Sequence, residues 1–200
     1  MKNIIQPGTS HIKKKQNVAK EVEAPLKNFN DSFAEISYQN KNFLDNLHYA
    51  QIIQDATLPK QRHFDRIFED SFVMYQPKSI IGGDFYWCSE NDQYSFIALG
   101  DCTGHGVPGA MLATLGTSLL NYAVLNKGLV KSSDILNEID KRFVESFQSD
   151  GETLNNNDWM EMAIVVYDKI KKTIDFAGAK TSIFIARGQS ISEYKGNKFP

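Results

Sequence analysis

The stretch Ile81-Gly82-Gly83-Asp84-Phe85-Tyr86-Trp87, followed by Ala98-Leu99-Gly100-Asp101-Cys102-Thr103-Gly104-His105-Gly106-Val107-Pro108-Gly109-Ala110, decides the reading of this chain. Two aspartates stand at strand ends, each beside glycine, and a helix start follows the second. Residues 84–89 and 94–100 are β-rich runs separated by Glu90-Asn91-Asp92-Gln93, a hairpin signal with asparagine and aspartate at the turn. With Asn91-Asp92 as a two-residue loop, Glu90 pairs with Gln93 and Asp84 falls opposite Leu99. Asp101 then lies two residues beyond Leu99, on the same face as Asp84. Diagonal neighbours of that kind have Cα atoms roughly 7–8 Å apart, which suits two carboxylates gripping a pair of metal ions ~3.5–4 Å apart. A slip of one residue would put them on opposite faces.

Asp84 and Asp101 offer hard, acceptor-only oxygens, which suit Mg²⁺ or Mn²⁺ and not a cysteine–histidine zinc site. The glycines beside them allow close approach of the backbone. Taken singly, a strand-start turn explains Asp84 and a loop cap explains Asp101. Taken with the Gly-His-Gly loop and the helix behind it, metal chemistry is the better account. Cys102 with His105 also raises a thiolate nucleophile, but no arginine follows to cradle a phosphate. The glycine-rich loop lacks the Gly-Lys-Ser/Thr ending of a nucleotide-binding loop. His105 reads as a loop-packing residue, and Lys78, six residues before Asp84, as a cation that faces the phosphate.

Both faces of the hairpin are apolar: Phe85, Trp87, Phe96 and Ala98 on one, Tyr86, Ile97 and Leu99 on the other. A sheet buried on both sides calls for a second sheet over one face and helices over the other. Upstream, Ser71-Phe72-Val73-Met74-Tyr75 reads as a strand closed by Pro77, and residues 60–69 as a charged connector. Downstream, residues 107–127 read as a helix with Pro108 in its first turn and Gly128 as its stop. A second helix spans 133–147, capped by Ser132 or Ser133. Residues 148–158 read as a polar loop, and strands follow at 160–167, 172–177, 182–186 and 191–194.

Farther out, Phe29, Phe33, Ile36, Asn40, Phe43, Leu47, Ala50 and Gln54 recur at 4-3-4-3 spacing, the 3.5-residue period of a coiled-coil seam. Pro25 lies just upstream, Asn30 or Asp31 caps the start, and Leu58-Pro59 ends the helix. Two readings stay open: an amphipathic helix packed on its own domain, or a dimerising signalling helix. Residues 1–27 read as a flexible polar tail, 28–59 as the helical lead-in, and 60–200 as the catalytic domain.

The 200 residues are 42% hydrophobic and 23% charged, enough for a real core. A net charge of −2 gives no electrostatic case for nucleic acid or an anionic membrane. The opening residues read as lacking the apolar core of a signal peptide, and no apolar run reaches membrane length. Cys88 and Cys102 read as reduced thiols of a cytoplasmic protein.

The two aspartate blocks resemble the stage-II sporulation E type of PPM protein phosphatases. The resemblance extends upstream to residues 49–59, Tyr-Ala-Gln-Ile-Ile-Gln-Asp-Ala-Thr-Leu-Pro, and downstream to Phe176-Ala177-Gly178-Ala179. It implies an α+β fold, an α-β-β-α sandwich, with a two-metal Mn²⁺ or Mg²⁺ centre. Asp84 and Asp101 match the metal-binding aspartates, and Cys102 matches the residue whose backbone carbonyl meets a metal. It implies hydrolysis of phosphoserine or phosphothreonine on a signalling protein, of the anti-sigma-factor-antagonist type, by metal-activated water. The alternative is a non-catalytic partner-binding or dimerisation module that keeps the fold. Relatives carry a later Asp-Gly block and a further metal aspartate, so the chain reads as C-terminally incomplete or naturally short. Lys180 stands where many relatives have histidine, and Trp159 where many have glycine.

Overall fold

The computed structural model describes residues 9–149, 152–153 and 158–198. The chain divides into two compact units, Met1–Asn46 and Leu47–Pro200. Helix α1 runs Thr9–Thr57 and passes through Pro25. The flexible tail expected over 1–27 is therefore helical from Thr9, and neither Pro25 nor a cap at Asn30 or Asp31 starts the helix. Proline deletes one i→i−4 bond, a local loss in a ladder this long. Residues 1–8 lie outside the described residues. The helix does end before Leu58-Pro59, as the restriction on the residue preceding proline requires.

In the first unit the apolar stripe stays exposed: Phe29, Phe33, Ile36 and Phe43 keep between 57% and 67% of their surface in solvent. In the second unit its continuation is covered. Leu47 and Ala50 are half-buried and Gln54 is buried. The stripe is thus exposed over its first half and packed on its own domain over its last turns.

The charged connector contains a short helix, α2 (Gln61–Ile67), with Phe64 buried. Residues 71–75 form no strand. Phe72 is 89% exposed there, and the run makes no ladder pairing, although Tyr75 packs on Tyr86 of the outer strand β1.

Strands β1 (Asp84–Glu90), β2 (Tyr94–Cys102), β5 (Met160–Asp168) and β6 (Thr173–Ala179) make a four-stranded antiparallel sheet in that order. The pairs β3 (Gln148–Ser149) with β4 (Glu152–Thr153), and β7 (Ile183–Arg187) with β8 (Ser190–Tyr194), are separate hairpins. Within the expected polar loop 148–158, residues 150–151 and 154–157 lie outside the described residues.

Helices α3 (Gly106–Asn121) and α4 (Ser132–Ser146) cover one face of the sheet. Phe85, Trp87, Phe96, Ala98, Met162, Ile164 and Val166 point to that side and form one core with Leu112, Leu120, Ile135, Ile139 and Phe143. Each large aliphatic or phenylalanine side chain among them contributes about 1.5–3 kcal/mol on leaving water. Trp87 Nε1 donates to Asn121 Oδ1 at 2.9 Å, so its one polar atom is satisfied inside this layer. A π-helical turn, Tyr122–Asn126, extends α3 to the stop at Gly128, whose φ is +70°. Helix α4 starts one residue early. Lys131 is its N-cap, and Ser132 donates through both N–H and Oγ to Asp175 Oδ2 at 2.7 and 2.8 Å. A strand residue thus takes over the capping expected of the serines.

The opposite face is only partly covered among the described residues. Phe64 and Tyr75 pack on Tyr86, at 6.0 and 5.6 Å between ring centroids, while Leu99 and Ile174 remain about half exposed. The mixed helix and antiparallel-sheet class matches expectation, with helices over one face of the four-stranded sheet.

Candidate active site

The site starts from a turn. Asn91 N–H donates to the Tyr94 carbonyl at 2.9 Å, so Asp92-Gln93 is the hairpin tip, one residue later than expected. Asn91 Oδ1 selects this tip by accepting from the backbone N–H groups of Gln93 and Tyr94 at 3.0 and 2.7 Å, standing in for a backbone acceptor. Moving the centre of a turn by one residue moves the pairing by two. Asp84 therefore lies directly opposite Asp101, not opposite Leu99. Because the shift is even, both carboxylates keep the same face.

Cys102 N–H donates to the Gly83 carbonyl at 3.3 Å, which makes Gly83–Cys102 a hydrogen-bonded pair and Asp84–Asp101 the next, closely spaced one. Glu161 on β5 pairs with Asp101 in turn, so three carboxylates form a row across β1, β2 and β5. Asp84 and Asp101 line a cleft of about 460 Å³ with Val73, Met74, Tyr75, Leu99 and Thr181. Glu161 is the residue that the sequence did not disclose. It belongs to no local motif, and only the β2–β5 register brings it beside Asp101.

Burial pushes the Asp101 carboxyl up from its ordinary range, and the neighbouring charges of Asp84 and then Glu161 push it further. The pair is therefore short of positive charge, which is what a divalent cation supplies. A Cβ added at Gly83 would lie 2.8 Å from the Cys102 carbonyl oxygen and 3.2 Å from that of Gly104. Glycine there leaves this carbonyl edge uncrowded beside the two carboxylates. The donor set is hard oxygen and fits Mg²⁺ or Mn²⁺.

The other candidates fall out by position. The Cys102 side chain is buried on the helix-covered face, and burial raises its thiol to about 12, so it is no nucleophile. Only its backbone faces the site. His105 is the exposed N-cap of α3, with no side-chain cap bond, and does not pack the loop. Lys78 is exposed in the segment before Gly82 and is not among the residues lining the aspartate cleft. Cys88 and Cys102 are free and sit on opposite faces of the hairpin.

Three contacts hold the aspartate loops. Gln54, expected on a coiled-coil seam, instead clamps Gly82: its Nε2 donates to the Gly82 carbonyl at 2.7 Å, and its Oε1 accepts from the Gly82 N–H at 3.2 Å. A side-chain amide matches a backbone amide in both directions, and the 28-residue separation hid the match. Tyr75 Oη donates to the Asp84 carbonyl at 3.2 Å. Thr103 Oγ1 donates to Asp158 Oδ1 at 2.9 Å and accepts from Trp159 N–H at 3.2 Å, tying the loop after β2 to the entry of β5.

The profile of the Stage II sporulation protein E (SpoIIE) family matches residues 91–198, just over half of the chain. Among solved structures, the SiaA-PP2C domain of Pseudomonas aeruginosa is 32% identical, with a TM-score of 0.70, over 80% of this chain and 63% of that one. The PP2C phosphatase domain of the cell fate determinant SpoIIE from Bacillus subtilis is 17% identical, with a TM-score of 0.49, over 60% of this chain and 33% of that one. The chain thus spans less than two thirds of the first structure and a third of the second. No curated protein matches it.

Two measurements check this geometry. Gln54→Leu leaves the buried Gly82 N–H and carbonyl without partners, and the unfolding free energy from denaturant titration is expected to fall by about 1–3 kcal/mol. For Asp101, a raised folded-state pKa means that the protonated form favours folding. That contribution is present below the ordinary carboxyl value and is lost as pH rises through the raised one. In metal-free protein, Asp101→Asn is therefore expected to melt higher than wild type at pH 7, with the gap closing toward pH 4. Added Mn²⁺ is expected to raise the melting temperature of wild type and not of Asp101→Asn.

Proposed function

Because the chain belongs to the SpoIIE family, we propose that it is a metal-dependent protein serine/threonine phosphatase domain. Its substrate is a phosphoserine or phosphothreonine on a signalling protein of the anti-sigma-factor-antagonist type. The observation that carries the reading is the direct opposition of Asp84 and Asp101 on one face of the β1–β2 hairpin, inside a cleft. The PP2C phosphatase domains among its structural relatives support the reaction class.

In this reading Asp84, Asp101 and the Cys102 backbone carbonyl hold Mn²⁺ or Mg²⁺. The bound ions supply a water of lowered pKa and neutralise the phosphate charge. The chain's own work is positional. Phe85 lodges over Gly100, where an added Cβ would meet its ring at 2.3 Å, and this fixes the strand that carries Asp84 against the one that carries Asp101. Gln54 and Tyr75 hold the backbone on either side of Gly83. In-line attack needs no covalent intermediate on the protein, in keeping with a buried, un-ionised Cys102.

We also propose that residues 29–43 of α1 dimerise. Their 3.5-residue apolar spacing is exposed, and Asn40 on the same stripe would set the register of the pair.

Mn²⁺-dependent hydrolysis of an aryl phosphate and of a phosphoserine peptide tests the phosphatase. Asp101→Ala is expected to lower the rate at least a hundredfold. Activity without added metal, or activity surviving that substitution, would falsify the reading. Absence of turnover in wild type with metal bound would assign the chain to the alternative, a partner-binding module that keeps the fold. For the helix, Asn40→Leu is expected to change the mass measured by light scattering, through a tighter or larger oligomer, and an unchanged mass would count against the seam.

A further inference from the structure

We propose that Lys180 is a substrate-binding residue: its ammonium group leaves Glu161 to take a phosphate oxygen of the incoming phosphoserine or phosphothreonine. The identity of the ligand rests on the phosphatase reading above. Lys180 follows β6 with φ +59°, in the left-handed region that a lysine enters only under constraint. Lys172, at φ +56°, shares that region but sits in the tight turn between β5 and β6, where it is ordinary. The backbone of Lys180 is pinned from two sides instead. Its N–H donates to the Asn197 carbonyl at 2.7 Å, and it bridges to Met162 on β5.

This pinned backbone delivers the ammonium to the end of the carboxylate row. Nζ lies 4.4 Å from the centroid of the half-exposed Trp159 ring and 3.7 Å from Glu161 Oε1. Glu161 is the strand partner of Asp101, and Thr181, the next residue, lines the aspartate cleft; Lys180 itself lines a second cavity with Asp158, Trp159 and Met162, and reaches the row through Glu161.

The hold on the ammonium is loose. A separation of 3.7 Å is too long for a hydrogen bond, and the two side chains are 40% and 34% exposed, a setting in which an ion pair adds little. The group carries three donors, and Glu161 offers one negative charge. A phosphate monoester offers close to two charges and three strong acceptor oxygens. Exchange of Glu161 for phosphate therefore strengthens the attraction, and the indole face steadies the cation in either position.

The test compares Lys180→Met, Lys180→Arg and Glu161→Gln, each checked for folding by its thermal melt. Lys180→Met is expected to raise KM for a phosphoserine peptide about tenfold while kcat stays within about twofold. Lys180→Arg recovers most of that loss. Glu161→Gln lowers KM, because it removes the competitor for the ammonium. A purely structural ion pair would make Lys180→Met and Glu161→Gln alike, both acting through stability, and that outcome overturns the proposal. So does an unchanged KM in Lys180→Met. Binding of a phosphonate analogue of the same peptide, read by tryptophan emission with Mn²⁺ present, separates this from failure of the phosphatase reading. Weaker binding to Lys180→Met than to wild type, with no hydrolysis of the phosphopeptide by either, overturns the phosphatase and keeps the Lys180 assignment. Equal binding to both proteins, or none to wild type, overturns the assignment.

Discussion

Two carboxylates held side by side repel each other, and the β1–β2 register fixes the backbones of Asp84 and Asp101 directly opposite one another on one face. At the ~5 Å spacing of a closely paired rung, that repulsion is about 1–3 kcal/mol for effective dielectrics between those of water and a protein surface. The same strands carry Phe85, Trp87, Phe96 and Ala98 on the other face, and burial of these side chains against α3 and α4 outweighs the repulsion. The pleat alternates, so the residues that anchor the sheet and those that carry the charge are consecutive in the chain. The fold holds its aspartates together by packing the residues next to them.

The surroundings of the pair are set by contacts from far along the chain. Gln54 reaches Gly82 from the end of α1, and the amide-to-amide match ties that helix end to the loop that leads into Asp84. Thr103, Asp158 and Trp159 join the exit of β2 to the entry of β5. The β2–β5 register then brings Glu161 and, behind it, Lys180 to the same sheet end. The row of charges is thus a property of sheet order as much as of the aspartate motifs.

Errors in the sequence reading of the hairpin and of α1 have separate causes. For the hairpin, Asn91-Asp92 and Asp92-Gln93 are both reasonable tips, and the side-chain acceptor of Asn91 decides between them. The choice changed the partner of Asp84 and left its face untouched, since pairing shifts in steps of two when a turn moves by one. For α1, the heptad spacing was legible but the partner of each stretch was not. Periodicity records which side of a helix is apolar, and what covers that side is a matter of neighbours. Residues 71–75 show the reverse case: a β-prone run lies beside the outer strand β1, held there by Tyr75, and forms no ladder with it.

By itself the sequence determined the hairpin with both aspartates on one face, the two helices behind it and the later strands, because turn chemistry and apolar period act over a few residues. Only the tertiary structure decided that Asp84 stands opposite Asp101, that Gln54 serves Gly82, and that Glu161 and Lys180 join the row. Those pairings depend on strand order and register, which arise from contacts between residues distant in the chain that no local pattern encodes.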